Sequence, residues 1–211
     1  MAKNAVAAPG ALVERALERR SHTRAKALPA MAENLSRSTA LEKAISDYRA
    51  KPLSKVNPVL AMRETLVEAF KCRQYDQFRP EVIKMAQGKE TDAMFLAAID
   101  IFWKESGQVS NNAGRMAQDL ISHVSEDTIS RKLVHTNTSQ LMTTTQKSKL
   151  DGTAKILGLM CRKVEDSAKT TVGRIMANME SLAFNSEQDS VKAAGETFLA
   201  IMHPATVDAV A

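Results

Sequence analysis

Residues 150–182 have the sequence LDGTAKILGLMCRKVEDSAKTTVGRIMANMESL. Apolar or small side chains recur in it at alternating spacings of four and three residues, and the alternation is interrupted once by an extra four-residue step. This period places them along one side of a helix, as in coiled coils and helical bundles. We call these positions the seam: Leu150, Ala154, Leu157, Cys161, Val164, Ala168, Val172, Ile175, Met179 and Leu182.

The seam predicts either one long helix near 149–184 or two shorter ones. A single helix would be roughly 50 Å long at about 1.5 Å per residue. Gly152, Gly158 and Gly173 weaken it, so two helices that meet near Glu165 are the alternative. Because the length exceeds that of an ordinary helix, we expect self-association through the seam. The alternative is that the seam packs within its own bundle. The expected contact residues are Leu150, Leu157, Val164, Val172, Ile175, Met179 and Leu182.

The rest of the chain also favours helices. Only 4% of the residues are aromatic, which argues against a β-sandwich. Asn57-Pro58 is typical of a helix start, and residues 91–105 carry an apolar stripe on each side, as expected of a central helix. The Thr- and Ser-rich segment 136–149 is expected to be a connector and a possible sub-boundary. We therefore predict an all-α helical bundle.

Charge divides the chain into two parts. Residues 1–55 contain 11 Lys and Arg against 5 Asp and Glu, whereas residues 56–211 contain 18 against 19. The net charge of +5 is thus +6 on the first part and −1 on the second. This pattern predicts a basic, partly extended N-terminal arm at 1–55 and an all-helical body at 56–211.

The basic residues of the arm are the first candidates for a binding site. Five of them fall within twelve residues and would point in several directions from a helix, which suits a segment that follows phosphates. Such an arm would bind RNA or DNA without regard to sequence. The predicted nucleic-acid-binding residues are Arg15, Arg19, Arg20, Arg24 and Lys26.

A second candidate lies at 116–133. Residues 124–133, VSEDTISRKL, resemble the turn and recognition helix of a helix-turn-helix, with 116–120 as the first helix. The segment departs from that motif at Asp119, where a small residue is usual, and at His123, where glycine is usual. The resemblance implies that the DNA-reading residues would be Ser125, Thr128, Ser130 and Arg131.

Catalytic and metal-binding patterns are missing from the sequence. The four histidines are scattered, and no phosphate-binding glycine loop or nucleophile motif occurs. Cys72 and Cys161 suit buried thiols in a reducing compartment. No apolar run reaches the roughly 18 residues of a membrane span. We expect no enzyme, no cofactor, no bound metal and no transmembrane segment, and a location in the cytoplasm or within a virion.

These features favour a non-enzymatic structural protein that forms homo-oligomers through its body and binds nucleic acid through its arm. Viral coat or nucleocapsid proteins and DNA-packaging proteins follow this plan. One alternative is a helix-turn-helix DNA-binding protein that uses 116–133. Another is a helical scaffold or adaptor that binds protein or a lipid surface and no nucleic acid.

Overall fold

The computed structural model describes residues 46, 48, 50, 57–72 and 74–204, which all belong to one compact unit. Within these residues the chain forms nine α-helices and no strand, which confirms the predicted all-α bundle. The helices are α1 (Pro58–Cys72), α2 (Arg79–Met85), α3 (Thr91–Lys104), α4 (Gly107–Leu120), α5 (Glu126–Val134), α6 (Thr138–Thr144), α7 (Leu150–Lys163), α8 (Lys169–Asn185) and α9 (Asp189–Met202), with 3-10 turns at Tyr75–Gln77 and Lys147–Lys149.

The centre of the bundle is α3. Its side chains are buried on both sides, as its two apolar stripes predicted, and it packs against α1 and α4. The ring of Phe102 lies between two glycines of neighbouring helices. A Cβ atom added at Gly114 of α4 or Gly152 of α7 would come within 2.8 and 2.9 Å of ring carbons. Both glycines are therefore needed for α3, α4 and α7 to meet around this ring.

The first helix begins where the sequence predicted. The side-chain oxygen of Asn57 accepts a hydrogen bond from the backbone N–H of Val59 at 3.0 Å, and Pro58 is the first helical residue. Met62, Leu66 and Phe70 then form the buried face of α1. The apolar spacing of this helix thus corresponds to its packing against α3.

The seam lies on two helices, α7 and α8, rather than on one long helix. Residues 164–168 form a turn in which Val164 (φ −114°, ψ 18°) and Ala168 (φ −131°, ψ 38°) leave the helical conformation. Helix α9, which is 14 residues or about 21 Å long, packs against both α7 and α8. A straight helix of roughly 50 Å would extend past the shorter α9 and leave part of the seam uncovered. Because the chain turns at 164–168, α9 covers both halves of the seam.

The seam residues form the core of this one chain. Gly158 and Gly195 bring α9 close, since a Cβ at either would lie 3.0 Å from Ile201 or 2.8 Å from Ala183. The seam is therefore not a free surface, and self-association itself stays a prediction that needs another surface. Leu182 is partly exposed, and the other predicted contact residues are at most 3% exposed: Leu150, Leu157, Val164, Val172, Ile175 and Met179.

The segment 136–149, which was predicted to be a connector from its composition, is partly helical. It contains α6, which begins at an Asn137 side chain that accepts a hydrogen bond from Gln140 N at 3.2 Å. Thr143 and Thr144 bond to backbone carbonyls one turn earlier. Met142 is fully buried and α6 packs on α8. Tertiary packing thus overrides the low helix propensity of threonine.

In the part of the chain that the structure describes, no helix combines the length and the apolar character that crossing a bilayer requires.

The seam gives a direct test of the core. We expect Leu157→Asp to lower the free energy of unfolding by at least about 3 kcal/mol, because it places an unpaired charge at a fully buried position. Lys155→Asp, on the exposed side of α7, removes a 2.8 Å ion pair with Asp151 and should cost about 1 kcal/mol or less. Urea unfolding followed by circular dichroism measures both. Equal costs would show that the assignment of the two faces of α7 is wrong.

Candidate functional site

The five basic residues of the arm, Arg15, Arg19, Arg20, Arg24 and Lys26, lie outside the described residues. Their role in binding nucleic acid stays a prediction. The described residues are relevant to this prediction only because they show which contacts the Arg and Lys side chains of the body make.

Most arginines of the described body are already engaged within the chain. Four pair with carboxylates of other turns or helices, and Arg174 donates to the backbone carbonyl of Leu133 at 3.1 Å. A cation held in this way is less available to a polyanion than one on a solvated arm. The ion pairs are Arg63 with Glu105 (2.5 Å), Arg79 with Asp119 (2.7 Å), Arg115 with Asp76 (2.5 Å) and Arg131 with Asp127 (Nε to Oδ1, 3.0 Å).

Two lysines close helix ends. The ammonium of Lys149 donates to the carbonyls of Phe102, at 3.1 Å, and of Glu105, at the end of α3. Lys163 donates to Ile121 O at 2.9 Å and Ser122 O at 2.7 Å, just past α4. A cation at a helix C-terminus satisfies free carbonyls and the negative end of the dipole. Burial lowers the pKa of both lysines, against the opposing effect of nearby carboxylates.

The segment that resembles a helix-turn-helix has a local role in folding. It forms the end of α4, a turn at 121–125 and α5, with Ser125 as the N-cap of α5. The carboxylate of Asp92 on α3 accepts hydrogen bonds from Ser125 N (3.0 Å), Ser125 Oγ (2.6 Å) and Thr128 Oγ1 (2.7 Å). The polar atoms of Ser125 and Thr128 are therefore occupied by Asp92.

These hydrogen bonds set the protonation of Asp92. Partial burial raises its pKa, but the bonds from Ser125 and Thr128 and the charge of Lys163 outweigh that effect and hold the pKa below its usual value. The carboxylate is thus ionised at neutral pH and ties the start of α5 to α3.

The other two residues of the resemblance are placed differently. Ser130 is half-buried, and Arg131 is exposed and paired with Asp127 one turn earlier. The next residue, Lys132, lies 5.0 Å from the ring centre of Trp103. The exposed start of α5 also carries Glu126, so its first turn is acidic and its bases lie in the last turn. Reading of DNA by this helix stays a hypothesis.

Asp119, the residue that breaks the motif, belongs to a charged network that the sequence did not predict. It accepts hydrogen bonds from Tyr75 Oη at 2.6 Å and Arg79 Nε at 2.7 Å. Burial raises the pKa of Asp119, but the bonds from Arg79 and Tyr75 outweigh it and keep the pKa below its usual value. Arg115 lies 5.2 Å from the centre of the Tyr75 ring and pairs with Asp76. The network fixes the 3-10 turn and α2 against α4.

A cleft of about 620 Å³ lies beside α4. One wall is a face of α4 with polar residues at spacings of 3, 4 and 3: Gln108, Asn111, Arg115 and Gln118. The rest of the lining comprises Gln74, Phe102, Gly107, Asn112, Gly114, Ser148, Lys149 and Gly152. We call it the amide cleft. It contains two cations and no carboxylate among its lining residues, so it suits a polar or anionic ligand.

The sequence contains a pattern of amide side chains that indicates one wall of this cleft. Residues 107–118, GQVSNNAGRMAQ, place polar amides on the side of α4 opposite Ala113 and Ala117, which are buried. Helical spacing alone would have grouped the amides. Only the fold shows that Gln74 and Lys149 face the same cavity.

Two features of catalytic sites, metal-binding clusters and reactive thiols, can be judged from the described residues. No cluster of three or more His, Cys, Asp or Glu side chains that could hold a metal occurs among them. Cys161 is buried in α7, and burial raises the pKa of its thiol to about 12. It is therefore a thiol at neutral pH and a poor nucleophile.

Comparison of the chain with protein-family models, curated proteins and solved structures gives no match.

The contacts of Asp92 predict a dependence of stability on pH. We expect Asp92→Asn to lower the free energy of unfolding at pH 7 by about 2 kcal/mol, because it removes a charged acceptor of three hydrogen bonds. The folded pKa is depressed, so this stabilisation is present above about pH 4 and is lost as the pH falls through the folded pKa. Denaturant unfolding at pH 7 and pH 3 measures it.

Asp166→Asn is the control, since Asp166 is exposed in the turn between α7 and α8. It should change stability by less than about 0.5 kcal/mol. An Asp92→Asn protein that is as stable as this control at pH 7 would contradict the role assigned to Asp92.

Proposed function

We propose that this protein is a non-enzymatic structural protein that binds nucleic-acid phosphates through its N-terminal arm and self-associates through its helical body. The proposal rests on one observation, the separation of charge. Residues 1–55 have a net charge of +6, and the remainder has −1. Coat or nucleocapsid proteins and DNA-packaging proteins are the structural classes that this plan fits.

The contacts of the body strengthen this reading of the charge. Its described arginines mostly pair with carboxylates, and Lys149 and Lys163 close helix ends. A polyanion that separated these cations from their partners would have to replace interactions that hold the fold, so a phosphate can contact them only if those interactions stay in place. The cations of the arm are not needed for those contacts, so the arm is the better candidate for phosphate binding.

Self-association needs a surface other than the seam. Among the described large apolar side chains, Phe184 on α8 is the most exposed, at 74%. Ala177, two turns earlier on the same face, is also exposed. We propose this face of α8 as the contact between copies, since covering a phenylalanine ring contributes roughly 1.5–3 kcal/mol.

The contact is tested with a matched pair of substitutions. Phe184→Asp should weaken self-association at least about tenfold, because it places a charge where the contact between copies would bury the ring. Asn185→Asp, at the next position and also exposed, adds the same charge and should change it less than about twofold. Sedimentation equilibrium of the full chain measures both. Equal effects, or a monomer in the unmodified protein, would contradict this contact.

The salt dependence of binding tests the arm. If Arg15, Arg19, Arg20, Arg24 and Lys26 each neutralise one phosphate of a single strand, the slope of log K against log salt should be about −3.5, at roughly −0.7 per contact. Replacing all five by Gln should flatten the slope and weaken binding to every sequence alike. Fluorescence anisotropy with labelled oligonucleotides of several sequences measures this.

Other outcomes would favour the alternatives. A preference for one duplex that Arg131→Gln abolishes and the arm variant keeps would indicate helix-turn-helix reading. No binding to any nucleic acid, with a discrete oligomer that nuclease treatment leaves unchanged in light scattering, would indicate a scaffold or adaptor.

A further inference from the structure

The face of α4 in the amide cleft is built for hydrogen bonding. Gln108 and Gln118 are ten residues apart, which corresponds to about 15 Å along the helix, with Asn111 and Arg115 between them on the same face. An amide side chain has both donors and acceptors, and Gln108 already donates to the carbonyl of Phe70 at 3.4 Å. Gln74 and Lys149 complete the lining from other parts of the chain. The cleft can therefore hold a ligand that carries several polar groups in a row.

The two cations of the cleft are held in place. Arg115 donates to Asp76 through its two terminal nitrogens, at 2.9 and 2.5 Å, and lies over the Tyr75 ring. A guanidinium has five N–H donors, so this pair leaves others for a ligand. Lys149 is held by two backbone carbonyls that do not neutralise its charge. Fixed cations lose little conformational freedom when a ligand binds.

The absence of carboxylates from the lining distinguishes among ligands. The lining has two cations and no acid, but Arg115 is paired with Asp76, so the charge of Lys149 is the one that no described ion pair offsets. A neutral peptide would gain nothing from this bias, whereas a phosphate group would. The amides are also the side chains that hydrogen-bond base edges. A cavity of about 620 Å³ is within the usual range of roughly 300–1,000 Å³ for small-ligand sites.

We infer that the amide cleft binds a nucleotide unit of a single strand, with its phosphate near Lys149 and Arg115 and its base edge on the amides of Asn111 and Gln118. This inference rests on the proposed function and deepens it: the strand whose phosphates the arm binds would also contact the body. The arm supplies charge without sequence preference, and the cleft supplies a contact to the base.

The test introduces a carboxylate into the cleft with almost no change of shape. Gln118→Glu in the full chain should lower the affinity for a fluorescein-labelled 15-nucleotide oligo(U) at low salt at least about fivefold, because a negative charge then faces the phosphate. Gln118→Lys should raise the affinity. Gln188→Glu is the control, since Gln188 is exposed beside α9, outside the lining, and changes the net charge equally. It should change the affinity less than about twofold.

The outcomes separate this inference from the proposed function. If the unmodified protein binds and Gln118→Glu behaves like Gln188→Glu, the cleft is not the site and the arm remains the proposed contact. If the unmodified protein does not bind, the proposed function fails, and the cleft is tested by adding uridine monophosphate and following the side-chain amide NMR signals of Asn111 and Gln118. Shifts of these signals that saturate with the nucleotide would support the cleft. No shift, or shifts only with an uncharged tetra-alanine peptide, would overturn it.

Discussion

The packing of the body depends on the position of one ring. Phe102 lies near the end of α3, between Gly114 of α4 and Gly152 of α7, with no room for a Cβ at either glycine. Its backbone carbonyl accepts hydrogen bonds from Ser110 Oγ at 2.8 Å and from Lys149 at 3.1 Å. The same residue therefore sets the spacing of three helices and closes the end of the central one. It also lines the amide cleft, so the shape of the cleft follows from core packing.

Charge in the body serves the fold in a consistent way. Lys149, Lys163 and Arg174 each donate to carbonyls at the end of a helix more than thirty residues away in sequence. Asp92 does the converse at the start of α5, where it accepts from the N-cap residue. Long-range contacts between side chains and helix ends thus take the place of many local caps. They also engage cations that would otherwise be more available to ligands.

Local sequence patterns predicted the elements and some of their ends, but not their packing partners. The seam, the central helix 91–105 and the start at Pro58 follow from local spacing and capping, and the structure confirms them as helices. The break at 164–168 lies at the point near Glu165 that the two-helix alternative named, but spacing could not decide between one helix and two, because the choice depends on packing against α9. Helix α6 depends in the same way on α8, which local propensity does not include. The candidate site divides in the same way. The sequence alone places the amides of α4 on one face. Only the fold shows that Gln74 and Lys149 line the same cleft, and that Asp92 accepts hydrogen bonds from Ser125 and Thr128.

Helix α4 gives the strongest argument that one surface of the protein binds a ligand in addition to its role in the fold. It contains several poor helix formers, and most have a packing reason. Gly114 admits Phe102, Ser110 bonds to its carbonyl, and buried Asn112 bonds to Tyr75 N and to Phe70 O. Asn111 is the exception, because it is exposed and the described contacts assign it no role in the fold. A lysine or glutamate there would solvate the helix and favour it more. The cost of asparagine at this position is explained if its uncharged amide contacts a ligand in the cleft.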